Sequence, residues 1–233
     1  MIKLALEKYY SCCPSSNAIL SNKLNLPLLG IDHLAIRSLN QKYYESNNFK
    51  EKYEIVNFKK IDIEYNFPNY EVNANWYKQF DTTTYNTPRI FTSWYVGNYK
   101  NISPDNKYII LEDENLTYNQ YLDIYNQNQY IAWTHLFRND INHIAIAVSD
   151  IEKVTETMLK NKFNFNTEGG IYKVSNDKNL IQTSLMADMI EFSFLDKKEK
   201  IPYVFVEFTE RKNNRDGFEQ DNANKIFSST TKN

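Results

Sequence analysis

The sequence predicts an α+β fold built from two βαβββ modules, and three observations lead to this prediction. The first is a repeated hexapeptide, because residues 31–36 (IDHLAI) and 141–146 (INHIAI) are nearly identical. The second is an echo between residues 88–94 and 202–208, at a similar distance behind each hexapeptide. The third is the order of patterns from 141 to 212, which indicates strand, helix, strand, strand and strand. Two such modules packed side by side can close their sheets around a central cavity.

Before the connector, β-branched and aromatic residues predict strands, and turn residues separate them. The predicted strands are 30–37, 88–96 and part of 55–70, which ends at Pro68. Helices are predicted at 2–10, 18–20 and 40–53, with a polar loop around Pro14 between the first two. Residues 73–85 show no pattern that predicts an element. The connector, residues 101–139, is predicted to be helical, with a helix start at Ser103-Pro104 and a second helix over 116–130.

The second module follows the connector and has the clearer pattern. Ser149-Asp150 is predicted to cap a helix over 151–161, whose apolar residues recur near helical spacing. The predicted strands are 141–148, 171–174, 181–190 and 203–212. A short closing helix is expected within 213–233. We therefore expect one catalytic domain over 1–233, with modules at about 30–100 and 140–212.

Composition restricts the classes of function. The 233 residues are 42% hydrophobic, so a sizeable core can form. A net charge of -2 offers no electrostatic reason to expect binding to nucleic acid or to an anionic membrane surface. The start of the chain does not match a signal peptide, and no apolar run approaches the roughly 20 residues of a membrane span. The only cysteines are the adjacent Cys12 and Cys13, a pair poorly suited to a disulfide, so a cytoplasmic location is expected.

A buried carboxylate in the last strand predicts a metal site. Glu207 alternates with apolar residues on both sides, and an ionised carboxylate there is costly unless a cation binds it. The first strand of each module carries a histidine, His33 and His143, which would face the same cavity. Two histidines and one carboxylate, with other positions open, form the ligand set of non-haem iron(II) oxygenases. The repeat places Ser93 where Glu207 stands in the second module, which leaves room for a substrate and dioxygen.

Arg37 predicts the chemistry of the substrate. It shares a strand face with His33, and a guanidinium in an apolar cavity needs an anionic partner such as a carboxylate. For each of these residues a purely structural role remains an alternative. The two histidines could be hydrogen-bonded core residues, Glu207 could pair with Arg211, and Arg37 could form a structural ion pair. His135 is a rival metal ligand outside the repeat.

These residues resemble the vicinal oxygen chelate superfamily, which has a glyoxalase/dioxygenase-like fold. More closely, residues 32–37, 142–143, 206–211 and the tail 217–230 resemble the 2-oxoadipate dioxygenase/decarboxylase family. The resemblance implies iron(II) bound by His33, His143 and Glu207, and a substrate carboxylate bound by Arg37. It also implies conversion of 2-oxoadipate and dioxygen to 2-hydroxyglutarate and carbon dioxide. The alternatives are an extradiol dioxygenase or glyoxalase-like isomerase on the same fold, and a non-catalytic protein that binds a small acid.

Overall fold

A computed structural model of the chain describes residues 14–39, 41–52, 58–67, 72–79, 89–95, 116–137, 139–166 and 178–218. The helices are α1 (Pro14–Leu20), α2 (Lys42–Glu45), α3 (Asn47–Lys52), α4 (Tyr118–Gln127), α5 (Gln129–Phe137) and α6 (Ile151–Lys160). The strands are β1 (Leu28–Ser38), β2 (Phe58–Phe67), β3 (Val72–Gln79), β4 (Arg89–Tyr95), β5 (Asp140–Val148), β6 (Leu180–Ser184), β7 (Met189–Ser193), β8 (Lys198–Pro202) and β9 (Phe205–Arg211). No helix among these residues is long and apolar enough to cross a membrane.

The strands form one mixed seven-stranded sheet and a separate β7–β8 hairpin. The sheet order is β2-β3-β4-β1-β5-β9-β6. At its centre β1 and β5, which carry the repeated hexapeptide, pair antiparallel. Each of these strands also pairs parallel with a later one, β1 with β4 and β5 with β9. The two hexapeptide strands therefore lie side by side, with their parallel partners on either flank.

The two faces of the central strands have different roles, because side chains alternate along a strand. One face packs into a core that contains Leu34, Ile36, Ile144, Val206 and Phe208, all at most 1% exposed. The opposite face carries the polar residues, among them the two histidines and Glu207. The register confirms the shared face, since His33 pairs with Ala145 and Ala35 pairs with His143. Burial of the apolar face therefore turns the polar residues of all three strands toward the same side.

Helix α6 packs beside β9 and is capped at its start. The Asp150 carboxylate accepts a hydrogen bond from the Lys153 amide at 2.9 Å, as predicted for this cap. Glu210 Oε2 accepts a second bond from the Ile151 amide at 3.0 Å. The apolar residues Ile151, Val154 and Met158 are buried, consistent with their helical spacing. The cap and the buried stripe explain why the sequence pattern predicted this helix well.

Several predicted elements need correction. The strand predicted over 181–190 was wrong as a single element, because the chain leaves the main sheet after Ser184 and starts the β7–β8 hairpin at Met189. Between them the Asp188 amide bonds to the Val204 carbonyl, which turns the chain. Residues 72–79, where no element was expected, form β3. Helix α1 begins at Pro14, where a loop was expected, because proline at a first helical position gives up no helical hydrogen bond.

Other expectations lie outside the described residues. They are the helix over 2–10, the helix start at Ser103, the strand over 171–174 and the closing helix beyond 218. The arrangement into one domain with two modules, a connector and a closing segment also stays a prediction. The described strands β1 to β4 fall within the first proposed module, and β5 to β9 fall within the second.

Candidate metal centre

The three residues predicted as metal ligands lie together on the polar face of the central strands. His33 comes from β1, His143 from β5 and Glu207 from β9, which are neighbours in the sheet. The two imidazole Nε2 atoms are 3.3 Å apart. Glu207 Oε1 lies 3.8 Å from His33 Nε2, and Glu207 Oε2 lies 3.7 Å from His143 Nε2. One donor atom from each residue therefore faces a common point, with all three atoms within 4.8 Å of one another.

Asp32 determines which nitrogen of His33 faces this point. His33 Nδ1 lies 2.8 Å from Asp32 Oδ1. Burial favours the protonated form of Asp32, but Arg211 and the hydrogen bonds from His33 and Arg211 outweigh it and hold the pKa well below its usual range. An ionised carboxylate only accepts hydrogen bonds, so the His33 Nδ1 carries a proton. In the tautomer that carries this proton on Nδ1, Nε2 presents a lone pair to the site.

His143 is held in the same tautomer by a different neighbour. Its Nδ1 lies 3.3 Å from Asn142 Oδ1, and its ring stacks on Phe205 with the centroids 4.6 Å apart. Burial lowers the pKa of His143 well below its usual value, and the nearby His33 and Arg37 lower it further. The imidazole is therefore neutral at neutral pH, with its Nε2 lone pair free for a cation.

Glu207 is oriented by two hydrogen bonds to one of its oxygens. Gln182 Nε2 donates to Glu207 Oε1 at 2.6 Å, and the Thr209 hydroxyl donates to the same oxygen at 2.9 Å. Burial raises the pKa of Glu207, whereas His33 and these two donors act in the opposite direction. The residue is only 2% exposed, so its charge has little contact with water. The ionised form needs a cation as well as the two donors.

The donor set fits a divalent metal ion. Two lone pairs and a carboxylate converge within 3.3 to 3.8 Å, with no donor hydrogen between them once both Nδ1 atoms carry the proton. Such an arrangement is repulsive unless a cation or an additional proton occupies its centre. Imidazole nitrogen and carboxylate oxygen suit iron, zinc and similar metals. Within the described part of the chain, this is the only group of three or more such residues close enough to hold a metal ion.

Arg37 lies in a cavity of about 420 Å³ beside the metal-ligand candidates. Residues of α4 and α5 line the cavity on one side, and residues of β8 line it on another. Asn142 and Phe205, the two residues that contact His143, also line it, whereas the three ligand candidates do not. The Arg37 guanidinium carbon lies 4.8 Å from the ring centre of Tyr130 and 5.7 Å from that of Trp133. Burial lowers the pKa of Arg37 to about 10, so the guanidinium is charged at neutral pH.

Comparison with known proteins identifies relatives of this chain. A family model described as 2-oxoadipate dioxygenase/decarboxylase matches residues 106–214. A chloroplastic protein of that name from Arabidopsis thaliana is 36% identical over an alignment of 128 residues, and the match covers 45% of this chain. The crystal structure of hydroxyglutarate synthase from Oryza sativa, in complex with 2-oxoadipate, superposes with a TM-score of 0.80 and 29% identity. That match covers 99% of this chain and 91% of the rice chain.

This chain is similar to the 2-oxoadipate dioxygenase/decarboxylase family over the matched residues 106–214. The resemblance predicted from the sequence is thus confirmed. The alignment with the Arabidopsis protein spans 34% of that protein's length, so about a third of it is matched in sequence. The predicted fold is also confirmed. A glyoxalase superfamily protein from Ralstonia eutropha JMP134 superposes with a TM-score of 0.68 at 14% identity, covering 91% of this chain and 82% of the other.

The sheet register corrects one detail of the predicted repeat. His143 pairs with Phe205, which places Glu207 beside Ala145. In the first half His33 pairs with Arg89, which places Phe91 beside Ala35. Phe91 therefore occupies the position equivalent to Glu207, and Ser93 lies two residues further along β4, opposite Arg37. Because Phe91 is an apolar ring and not a carboxylate, the candidate ligands among the described residues stay His33, His143 and Glu207.

The structure also distinguishes between the alternatives that the sequence left open. Arg211 binds the Asp32 carboxylate and not Glu207, so the alternative of a Glu207–Arg211 ion pair is wrong. His135 is buried in α5 and is not part of the metal-ligand group. Sequence reasoning missed the supporting roles of Asp32 and Gln182. Asp32 could have been found, because it directly precedes the first repeated histidine, whereas Gln182 gave no signal.

Proposed function

We propose that this protein is a non-haem iron(II)-dependent dioxygenase/decarboxylase that converts 2-oxoadipate and dioxygen to 2-hydroxyglutarate and carbon dioxide. The observation that carries the proposal is the convergence of His33, His143 and Glu207 with both histidine tautomers held from outside the site. The names of the relatives support the same activity, and the rice structure was obtained with 2-oxoadipate bound. The reaction balances, because one carbon leaves as carbon dioxide and both atoms of dioxygen remain in the shorter acid.

Iron(II) is the metal that best suits this proposal. Two histidines and one carboxylate on one side of the metal leave open positions for a substrate and dioxygen. When bound, iron(II) supplies Lewis acidity and the electrons that the reaction of dioxygen with a 2-oxo acid requires. Glu207 Oε1 already accepts bonds from Gln182 and Thr209, so Oε2 is the oxygen better placed to bind the metal.

Arg37 is the proposed partner of the substrate's far carboxylate. Its planar guanidinium can donate two parallel hydrogen bonds to a carboxylate, and Tyr130 and Trp133 hold the plane in place. The Tyr130 hydroxyl is itself held, because it lies 3.2 Å from the Ser38 carbonyl and 3.4 Å from Ser93 Oγ. A fixed far carboxylate would restrict which carbon of the substrate meets the oxidant, which favours one product.

The surroundings of the site help to exclude water. Phe205 stacks on His143, and Phe218 packs edge-on against His33 with the ring centres 4.8 Å apart. The aromatic residues of α4 and α5 line the Arg37 cavity on another side. Exclusion of water strengthens the interaction of Arg37 with an anionic substrate and limits side reactions.

Oxygen uptake after anaerobic reconstitution with iron(II) tests the proposal. The wild-type protein is compared with Glu207→Gln, which removes one ligand charge at nearly constant volume, and with Glu191→Gln on an exposed site. We expect uptake with 2-oxoadipate, formation of 2-hydroxyglutarate, loss of both in Glu207→Gln and no loss in Glu191→Gln. Oxygen uptake with a different 2-oxo acid, and none with 2-oxoadipate, would refute the assignment of 2-oxoadipate as the substrate. Binding of iron without uptake on any 2-oxo acid would refute the reaction and favour an extradiol dioxygenase or isomerase.

A cytoplasmic location, with a small 2-oxo acid and dioxygen as the partners, belongs to the same proposal. Its support is the pair Cys12-Cys13, which suits a reducing compartment better than a disulfide framework. Cell fractionation with an antibody against the protein tests the location. Recovery of the protein in an organelle or membrane fraction would refute it.

A further inference from the structure

A buried ionic cluster lies directly behind His33. Asp32 is fully buried, and its Oδ1 contacts His33 Nδ1 at 2.8 Å. Arg211 from β9 binds both oxygens of this carboxylate, with Nε to Oδ2 at 2.7 Å and Nη2 to Oδ1 at 3.0 Å. This two-point geometry is the strong form of an arginine–carboxylate pair, and a lysine cannot reproduce it.

The same guanidinium holds the chain segment that follows β9. Arg211 Nη1 donates to the Gly217 carbonyl at 2.7 Å and to the Arg215 carbonyl at 3.2 Å. Gly217 has a φ of 73°, in the region that glycine enters without steric cost, so the chain turns back there. We call residues 212–218 the return segment. The Arg211 side chain therefore hydrogen-bonds both the return segment and Asp32.

The return segment ends with Phe218 against the metal-ligand candidate. The Phe218 ring centre lies 4.8 Å from that of His33 and 5.1 Å from that of Phe91, and the ring is only 9% exposed. It also lies 5.4 Å from the Arg211 guanidinium carbon. Phe218 thus contacts His33 on its ring, while Asp32 contacts His33 at Nδ1, and Arg211 contacts both of these partners.

A second arginine links the same two parts by longer contacts. Arg89 Nη1 lies 3.4 Å from Asp32 Oδ2, and Arg89 Nε lies 3.3 Å from Asp216 Oδ1. Because these distances exceed those of Arg211, Arg89 is the weaker link. It keeps a positive charge beside Asp32 when Arg211 is replaced, so the buried carboxylate is not left without a cation.

We propose that Arg211 is a positioning residue that couples the orientation of His33 to the docking of the return segment. Through Asp32 it holds Nε2 of His33 toward the site, and through the carbonyls of Arg215 and Gly217 it places Phe218 on the His33 ring. Ligand geometry and closure of this side of the site are therefore set together. The metal-binding consequence rests on the proposed function, whereas the docking of the return segment does not.

Two readouts test the coupling in the whole protein. The first is hydrogen exchange of the return segment without added metal. The second is titration with Co²⁺, whose visible absorption reports the geometry of its ligands. Arg211→Lys keeps the charge but cannot bind Asp32 and the carbonyls together. Lys212→Gln is the matched control, because Lys212 is the neighbouring exposed cation and pairs only with Glu210 at 3.3 Å among the ion pairs described.

For Arg211→Lys we expect faster exchange of the return segment by about tenfold or more and a Co²⁺ dissociation constant raised by roughly 10- to 100-fold. We also expect an altered Co²⁺ spectrum, which a general loss of stability would not produce. Asp32→Asn should speed exchange of the same segment, although Asp32 is distant in sequence. Lys212→Gln should change neither readout by more than about twofold.

Different failures have different meanings. Unchanged exchange in Arg211→Lys would overturn the docking role, and faster exchange with unchanged Co²⁺ binding and spectrum would overturn the coupling. If the wild type binds no Co²⁺, the proposed metal site fails and the coupling with it, while exchange still tests the docking. If the Arg211 and Asp32 variants do not fold, Phe218→Leu provides the test, because it leaves every ion pair in place. It should weaken Co²⁺ binding roughly threefold to tenfold. A Co²⁺ affinity equal to that of the wild type would overturn the coupling.

Discussion

Replacement of Arg37 gives the sharpest test of the proposed substrate. Arg37→Met keeps an unbranched apolar side chain at this position but removes the guanidinium, with its charge and its contacts to Tyr130 and Trp133. The matching change in the substrate is 2-oxohexanoate, which has the carbon chain of 2-oxoadipate with a methyl group in place of the far carboxylate. The two proteins and two substrates form a cycle that isolates the interaction between guanidinium and carboxylate.

The structure sets the expected size of this interaction. Arg37 lies in a cavity lined largely by aromatic residues, and its pKa of about 10 leaves it charged at neutral pH. A hydrogen-bonded contact between charged groups in such a site contributes about 1.5–3 kcal/mol. Arg37→Met should therefore lower kcat/KM for 2-oxoadipate by about 10- to 150-fold. With 2-oxohexanoate the loss should stay below about threefold, because that substrate has no carboxylate for Arg37 to bind.

The assay is initial oxygen uptake by iron(II)-loaded protein over a range of substrate concentrations. Lys200→Met is the matched control, because Lys200 is an exposed cation that lines the same cavity. Its replacement should cost less than about fivefold, since exposed charge pairs contribute at most about 1 kcal/mol. Equal losses with both substrates in Arg37→Met would refute the assignment of Arg37 to the far carboxylate. A larger loss in Lys200→Met would move that assignment to Lys200.

Three further predictions concern stability. Burial raises the pKa of Glu207 in the metal-free protein. The contribution of Glu207 to the free energy of unfolding is therefore complete below pH 4.5, the value in the unfolded chain, and declines as the pH rises through the raised pKa. Urea unfolding at several pH values should show this decline in the wild type and not in Glu207→Gln. Under anaerobic conditions, iron(II) at about 100 times its dissociation constant should stabilise the wild type by roughly 2.7 kcal/mol and raise Tm by about 5–10 °C. A chelator should reverse this rise in Tm. An unchanged Tm would contradict specific binding of iron(II) to the folded state. Phe208→Ala should lower the free energy of unfolding by about 3–5 kcal/mol, because Phe208 is fully buried. Leu29→Ala should lower it by less than about 0.5 kcal/mol, because Leu29 is 51% exposed. Similar losses in the two variants would contradict the assigned core.

Local patterns in the sequence were sufficient for the elements with strong alternation. The repeated hexapeptide predicted β1 and β5, and the pattern around Glu207 predicted β9. Each of these strands has one face that must be buried, so the pattern records the fold directly. Residues 181–190 were predicted as one strand but form two strands in different sheets. The break there depends on backbone hydrogen bonds between Asp188 and the two residues that directly precede β9, Tyr203 and Val204. Such long-range bonds leave no periodic pattern.

The sequence by itself determined which residues could bind a metal. Two histidines at equivalent places in a repeat and a carboxylate inside an apolar strand are local facts, and alternation places all three on one face. The tertiary structure decided what holds them. Asp32 and Arg211 are separated by 179 positions and Gln182 and Glu207 by 25, and each pair depends on which strands become neighbours. It also placed Phe91, and not Ser93, at the position of the first half that is equivalent to Glu207, because register is set by hydrogen bonds between strands and not by the order of residues within one.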